Sequence, residues 1–196
     1  MLNTGINALD ELVSLKNKEL ITIASRPGIG KSTLLLNIVN SVSKQTNNKI
    51  LYFNFENSKN SLLKKIKNNN IEIIDTPNLS ISDIENIIKT YKKEDIALVA
   101  IDYIQLINMK NKVSEISREL KSLALELNIP VVLISQLSSN SKDIPTLIDL
   151  RKNGALVQDS DVIIFLYNKE SKLNENIDLI VAKNRGGSLG TIKIDM

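Results

Sequence analysis

The stretch "ELITIASRPGIGKSTLLLNIVNSV" (residues 19–42) decides the fold of this chain. Its first part is a short apolar run of the kind that forms a buried strand. Its last part reads as a helix from Lys31 onward. Between them "SRPGIG" supplies a tight turn with two glycines. A strand, a glycine loop and a helix in that order make a cradle for phosphate. Gly28 and Gly30 allow backbone N–H groups to turn inward, Lys31 reaches outer phosphate oxygens, and the Ser32 hydroxyl is placed for Mg²⁺. The partial positive charge of the helix N-terminus adds to the attraction. The full pattern is G-x-x-x-x-G-K-S/T, and here Ser25 stands where the first glycine belongs. The expected nucleotide-binding residues are Arg26, Pro27, Gly28, Ile29, Gly30, Lys31, Ser32 and Thr33; the plainer alternative is a glycine turn that merely precedes a helix.

Working outward, similar apolar runs recur at 49–56, 97–107, 129–137, 161–168 and 176–184, with a shorter one, "IEIID", at 71–75. Most are continuously apolar and rich in Ile, Val and Leu, as strands covered on both faces are. The segments between them have helical spacing. In 113–127, Val113, Ile116, Leu120, Leu123, Ala124 and Leu127 share one face. Ile81, Ile84, Ile87, Ile88 and Tyr91 form a second stripe, opened by a capping-box signal in "SISD" (80–83). Alternating strands and helices predict an α/β fold, a mostly parallel twisted sheet with helices on both faces. The end of the chain predicts an antiparallel hairpin turning through Gly186, Gly187 and Gly190. Residues 138–145 read as a mobile loop.

Composition narrows the chemistry. The 196 residues fit one domain, 1–196, and contain neither cysteine nor histidine. Disulfides, thiolate catalysis and zinc fingers are excluded, and so is the usual neutral-pH base. The net charge of +3 permits an acidic partner such as nucleic acid without establishing one. No segment has the run of about 18 apolar residues needed to cross a bilayer, and no secretory signal is visible, so the expectation is a cytoplasmic protein with no membrane partner.

Two carboxylates complete the expected site. Asp102 ends the run "ALVAID", where a Mg²⁺-holding carboxylate sits beside a phosphate loop. The alternative is a strand-end residue capping the next turn. Glu56 ends "ILYFNFE" and should face the same sheet edge, where ligands of open α/β sheets collect. With no histidine available it is the leading general base, unless it simply starts the helix that follows.

These blocks together resemble the C-terminal motor domain of DnaB-type replicative DNA helicases, which is a RecA-like P-loop ATPase. The resemblance runs nearly end to end, through "TGINALDEL", "ASRPGIGKST", "FNFEN", "DTPNLSISDI", "AIDYIQLI", "EISRELKSLALELNIPVVLISQL", "DLRKNGALVQDSDVIIFLY" and "VAKNRGGSLGTIKI". It implies ATP and Mg²⁺ as ligands, with Glu56 as the catalytic acidic residue and Asp102 as the metal carboxylate. It also implies that Gln136 senses the γ-phosphate, and that Lys183 and Arg185 reach into the neighbouring subunit's nucleotide site. Such a finger in trans requires self-association, in this family a hexameric ring. From the sequence alone "KNRGG" would read as a basic, solvated hairpin turn.

The implied function is an ATP-driven motor translocating on single-stranded DNA during replication. The alternative is a stand-alone ATP-binding module that regulates or loads a partner; a small kinase using the same loop ranks below both. The chain begins after the family's N-terminal domain and linker helix. Its expected DNA loops offer Lys110, Lys112 and Lys142 but no aromatic for base stacking. Val157 stands where the family usually has glutamate, while Arg151 and Gln158 are retained.

Overall fold

A computed structural model of the chain describes residues 1–107, 113–137, 143–151, 155–168 and 177–195, with Arg151 described for its backbone alone. In chain order the elements are α1 (Asn7–Asp10), β1 (Leu20–Ser25), α2 (Lys31–Gln45), β2 (Lys49–Asn54), α3 (Lys59–Leu63), β3 (Ile71–Ile74) and α4 (Ile81–Lys89). They continue with β4 (Ile96–Asp102), α5 (Val113–Leu127), β5 (Val131–Gln136), α6 (Leu147–Arg151), α7 (Leu156–Asp159), β6 (Val162–Tyr167), β7 (Ile177–Asn184) and β8 (Gly190–Ile194).

The strands form one sheet in the order β3-β2-β4-β5-β1-β6-β7-β8. Pairings from β3 through β6 are parallel, and β6–β7 and β7–β8 are antiparallel. The expected parallel sheet and closing hairpin are therefore both present. Because β1 lies between β5 and β6, far from β2, the loop after it opens where strand order changes direction, the usual ligand crevice of such sheets.

Strand residues alternate between two cores. On one face Ile21, Ile23, Tyr52, Ala100 and Ile134 pack with Leu34, Leu35, Ile38 and Val42 of α2. On the other, Leu51, Phe53, Val99, Ile101 and Leu133 pack with Ile84 and Ile88 of α4 and Ile116, Leu120 and Leu123 of α5. The helical stripes read from the sequence are thus the buried faces. The capping box of α4 forms as expected, Ser80 accepting from the Asp83 N–H while the Asp83 carboxylate accepts from the Ser80 N–H. Leaving these donors unpaired would cost on the order of 1 kcal/mol.

Two runs overshoot their strands. β4 stops at Asp102, and residues Ile104–Leu106 form a 3₁₀ turn. The apolar run continues past the strand because Ile104 and Ile107 remain fully buried within that turn. β2 stops at Asn54, two residues before Glu56.

Candidate nucleotide site

The phosphate loop is built as its sequence requires. Ser25, the last residue of β1, is fully buried, and its hydroxyl donates to the Arg26 carbonyl at 2.7 Å. Gly28 (φ +77°) and Gly30 (φ +100°) take left-handed conformations that residues with a β-carbon rarely adopt. Gly30 caps α2 without offering a side chain, and no acidic residue stands in the helix's first turn. The positive end of a 15-residue helix is therefore left for an anion from outside.

Lys31 is only 8% exposed, and its ammonium donates to the Arg26 carbonyl at 3.1 Å. Burial pushes its pKa below the usual lysine value, while the Glu56 and Asp102 carboxylates pull it back up. A desolvated ammonium with no carboxylate in contact is poised for an anionic ligand.

Asp102 is completely buried at the tip of β4. Burial raises its pKa, and hydrogen bonds from the Ser32 and Tyr52 hydroxyls lower it again; the Tyr52 bond measures 3.1 Å to Oδ2. Its Oδ1 is buried with no hydrogen-bond partner. Such an orphan is rare and calls for a ligand. Among the described residues no group of three or more acidic, His or Cys side chains could hold a metal ion. A hard cation here would lean on Ser32, Asp102 and the ligand's own phosphates. That donor set suits Mg²⁺, which binds through one or two carboxylates plus phosphate oxygens.

Glu56 sits in a bend after β2. The side chain of Asn54 clasps Asn57, donating to its carbonyl and accepting from its N–H at 3.2 Å. This local turn carries the exposed Glu56 to the sheet edge. It is neither cap nor first residue of α3, whose N-cap is Ser58. Gln136 ends β5 directly opposite Ser25 in the register. Pro27, Gly28, Gly30, Lys31, Ser32, Thr33, Glu56 and Gln136 line one cavity of about 860 Å³. It continues along α2 past Asn37, Asn40 and Lys44 towards Lys65 and Lys67.

The remaining expected pair lies elsewhere. Lys183 is opposite Ile163, near the start of β6, and Arg185 follows the end of β7. β1 and β6 run parallel, so both residues stand at the sheet edge opposite the phosphate loop. The Lys183 ammonium donates to the carbonyls of Val157 (2.7 Å) and Ser160 (2.6 Å). Burial holds its pKa below the usual value, with Arg185 adding to the effect. The turn "RGGS" packs on the N-terminal segment. A β-carbon on Gly187 would meet the Leu12 carbonyl at 2.8 Å, which explains the glycine by close backbone approach. Neither cation reaches the cavity of its own chain. Lys110, Lys112 and Lys142 lie outside the described residues, as do the side chain of Arg151 and most of the 138–145 loop; Val157 is half-buried.

Some participants were not singled out in the sequence. Gln105, inside the quoted "DYIQL" block, donates to the Gln136 carbonyl (2.9 Å) and the Ser135 hydroxyl (3.1 Å) and accepts from the Gln136 N–H (3.2 Å). It therefore clamps the strand tip that carries Gln136. Tyr52 bonds Asp102 and was visible only as one more aromatic in an apolar run. Asp161 organises the opposite edge.

Comparison with known proteins bears on this geometry. The DnaB-like helicase C-terminal domain model matches residues 1–70 and 63–196. The chain is 33% identical to the replicative DNA helicase DnaB of Geobacillus stearothermophilus, over 97% of this chain and 53% of that protein. It is 31% identical to the replicative DNA helicase DnaC of Bacillus subtilis, over the same shares. The chain thus spans about half the length of the curated relatives it matches. Among solved structures, a helicase ATPase domain superposes with a TM-score of 0.87 at 26% identity, covering 100% of this chain and 87% of that one. A DnaB-like replicative helicase, described together with its interactions with primase, gives a TM-score of 0.87 at 27% identity, over 100% of this chain and 61% of that one.

Proposed function

Because this chain belongs to the family of DnaB-like helicase C-terminal domains, we propose that it is an ATP-hydrolysing motor acting on single-stranded DNA in replication. Residues 1–196 act in this reading as one RecA-like ATPase domain. The observation that carries the proposal is the unsatisfied chemistry at one sheet edge. A buried ammonium, an uncapped helix start and a buried carboxylate oxygen without a partner stand together at a cavity of about 860 Å³. A nucleoside triphosphate with Mg²⁺ answers all three.

Each residue then has a task. The amides of the Arg26–Thr33 loop and the Lys31 ammonium bind the phosphates. Ser32 and Asp102 hold Mg²⁺, which when bound draws charge from the outer phosphate oxygens. Gln136 contacts the γ-phosphate from β5. Glu56 takes a proton from water as the water oxygen attacks the γ-phosphorus; the bond to the bridging oxygen breaks and ADP leaves with that electron pair. Lys183 and Arg185 serve a neighbouring copy, where they neutralise charge developing on the transferred phosphoryl group. Their place on the edge opposite their own loop supports action in trans, and so a ring, as in a hexamer. The working site is the cytoplasm, with no membrane partner; among the described residues no helix is long and apolar enough to cross a bilayer.

The test is ATP turnover with and without single-stranded DNA, across a range of protein concentration. Turnover should rise with protein concentration, because half of each site comes from a neighbour, and should rise again with DNA. Arg185→Ala should lower kcat by on the order of 1,000-fold, the usual range for such a finger. Unchanged turnover in that variant at saturating protein would refute the trans site. Binding of ATP without DNA-stimulated turnover would leave a nucleotide-binding module instead of a motor.

A further inference from the structure

The edge that carries Arg185 is organised around a single carboxylate. Asp161, immediately before β6, is 5% exposed. Its Oδ2 accepts from the Leu20 N–H at 2.8 Å and from the Lys121 ammonium at 2.5 Å. Its Oδ1 accepts from Nη1 of Arg185 at 3.2 Å. Its backbone is engaged as well, its N–H donating to the Leu20 carbonyl and its carbonyl accepting from the Arg185 N–H. A second guanidinium nitrogen, Nη2, donates to the Gln158 carbonyl at 2.9 Å.

We propose that Asp161 is a positioning residue for hydrolysis, holding the Arg185 guanidinium for a neighbouring copy's nucleotide while Lys121 balances the carboxylate charge. The proposal rests on the trans role of Arg185 given above. Two features carry it. Guanidinium has five N–H donors, and Asp161 with Gln158 uses two of them, so Arg185 can stay anchored and still offer donors to a phosphate. Its side chain is 54% exposed, whereas that of Asp161 is 8% exposed, so the anchor is fixed and the working end is open. The charge arrangement follows the same logic. A lone buried carboxylate would cancel the cation it holds. With Lys121 at 2.5 Å the Asp161–Lys121 pair is neutral, and the charge of Arg185 remains available to a ligand. The anchor is stiffened because Lys121 belongs to α5, which is pinned again by Ser117 donating to Asp159 of α7 at 2.5 Å.

The experiment compares Asp161→Asn, Arg185→Ala and Lys31→Ala in the full chain, alone and mixed in pairs. Asp161→Asn should lower kcat about tenfold to 100-fold, the scale of an ångström-level misplacement, with KM for ATP unchanged. Mixed with Lys31→Ala it should regain turnover, because Lys31→Ala protomers supply a sound finger to intact nucleotide sites. A fold defect in Asp161→Asn would not be rescued in this way. Should Asp161→Asn melt below the assay temperature, Lys121→Met carries the same test. It keeps the bonds to Leu20 and Arg185 but leaves the carboxylate charge unbalanced, so kcat should fall at constant KM. Full activity of Asp161→Asn beside an inactive Arg185→Ala, or no gain on mixing, would overturn the positioning role alone. Full activity of Arg185→Ala would overturn the reading beneath it.

Discussion

The two edges of the sheet are built on opposite principles. At the edge holding the phosphate loop, polar groups are short of partners: Asp102 Oδ1 has none, Lys31 meets only a backbone carbonyl, and α2 starts with no side-chain cap. At the other edge, Asp161 accepts three hydrogen bonds and Lys183 donates to several carbonyls. The first edge is incomplete without a ligand. The second is finished within the chain and presents only the outer part of one guanidinium. Buried polar groups cost stability when unpaired, so the same residue types should respond to mutation in opposite ways at the two edges.

The largest effect tests whether the first edge serves ligand binding. Lys31→Ala should reduce ATP turnover by at least about 100-fold, the scale of losing one electrostatic donor to a transition state, while its melting temperature does not fall. A variant that unfolds instead would turn the lysine into a structural residue. Next come the two carboxylates, measured by denaturant unfolding without nucleotide. Asp161→Ala should lose about 3 kcal/mol or more, because it strands buried partners. Asp102→Asn should lose none, since the carboxylate it replaces is held in an unfavourable buried state. Equal losses would erase the contrast. Smaller again is Gly187→Ala, whose new β-carbon would press on the Leu12 carbonyl; a loss of about 1–3 kcal/mol is expected, with ATP binding unaffected.

The smallest effect concerns pH. Lys183 has a lowered pKa in the folded chain, chiefly from burial. Between that lowered value and the ordinary lysine value, the unfolded chain binds more protons, so this residue makes stability rise with pH across the window. Lys183→Met should flatten that rise in unfolding midpoints measured from neutral to alkaline pH. An unchanged slope would show the ammonium to be as well solvated as a surface lysine.

The same contrast decides what could be read from the sequence. The first edge is local chemistry: a loop, a helix start and strand-tip residues, each announced by its neighbours. The long helices were equally legible, since the Ile116, Leu120 and Leu123 stripe of α5 repeats often enough to show its period. Helices of four or five residues, such as α1, α6 and α7, never complete enough turns to declare one. Strand ends blurred wherever burial continued into a turn, as at Ile104 and Ile107. The second edge left no local trace. Asp161 meets Leu20, Lys121 and Arg185 across 141, 40 and 24 positions, and in "QDSDVIIF" it looks like any acid before a strand. The role of the KNRGG block came from family resemblance; what the fold adds is the reason for its second glycine and the direction its cations face.

β1 begins at the carboxylate that steadies the guanidinium and ends at the loop that receives phosphate. Its six residues are a tie rod of roughly 20 Å, at about 3.3 Å per residue. In a closed assembly of copies, each pocket would be braced by a neighbour's rod and would brace the next in turn. Displacement at one phosphate would then travel round the circle through stiff, fully buried backbone, and not through surface loops.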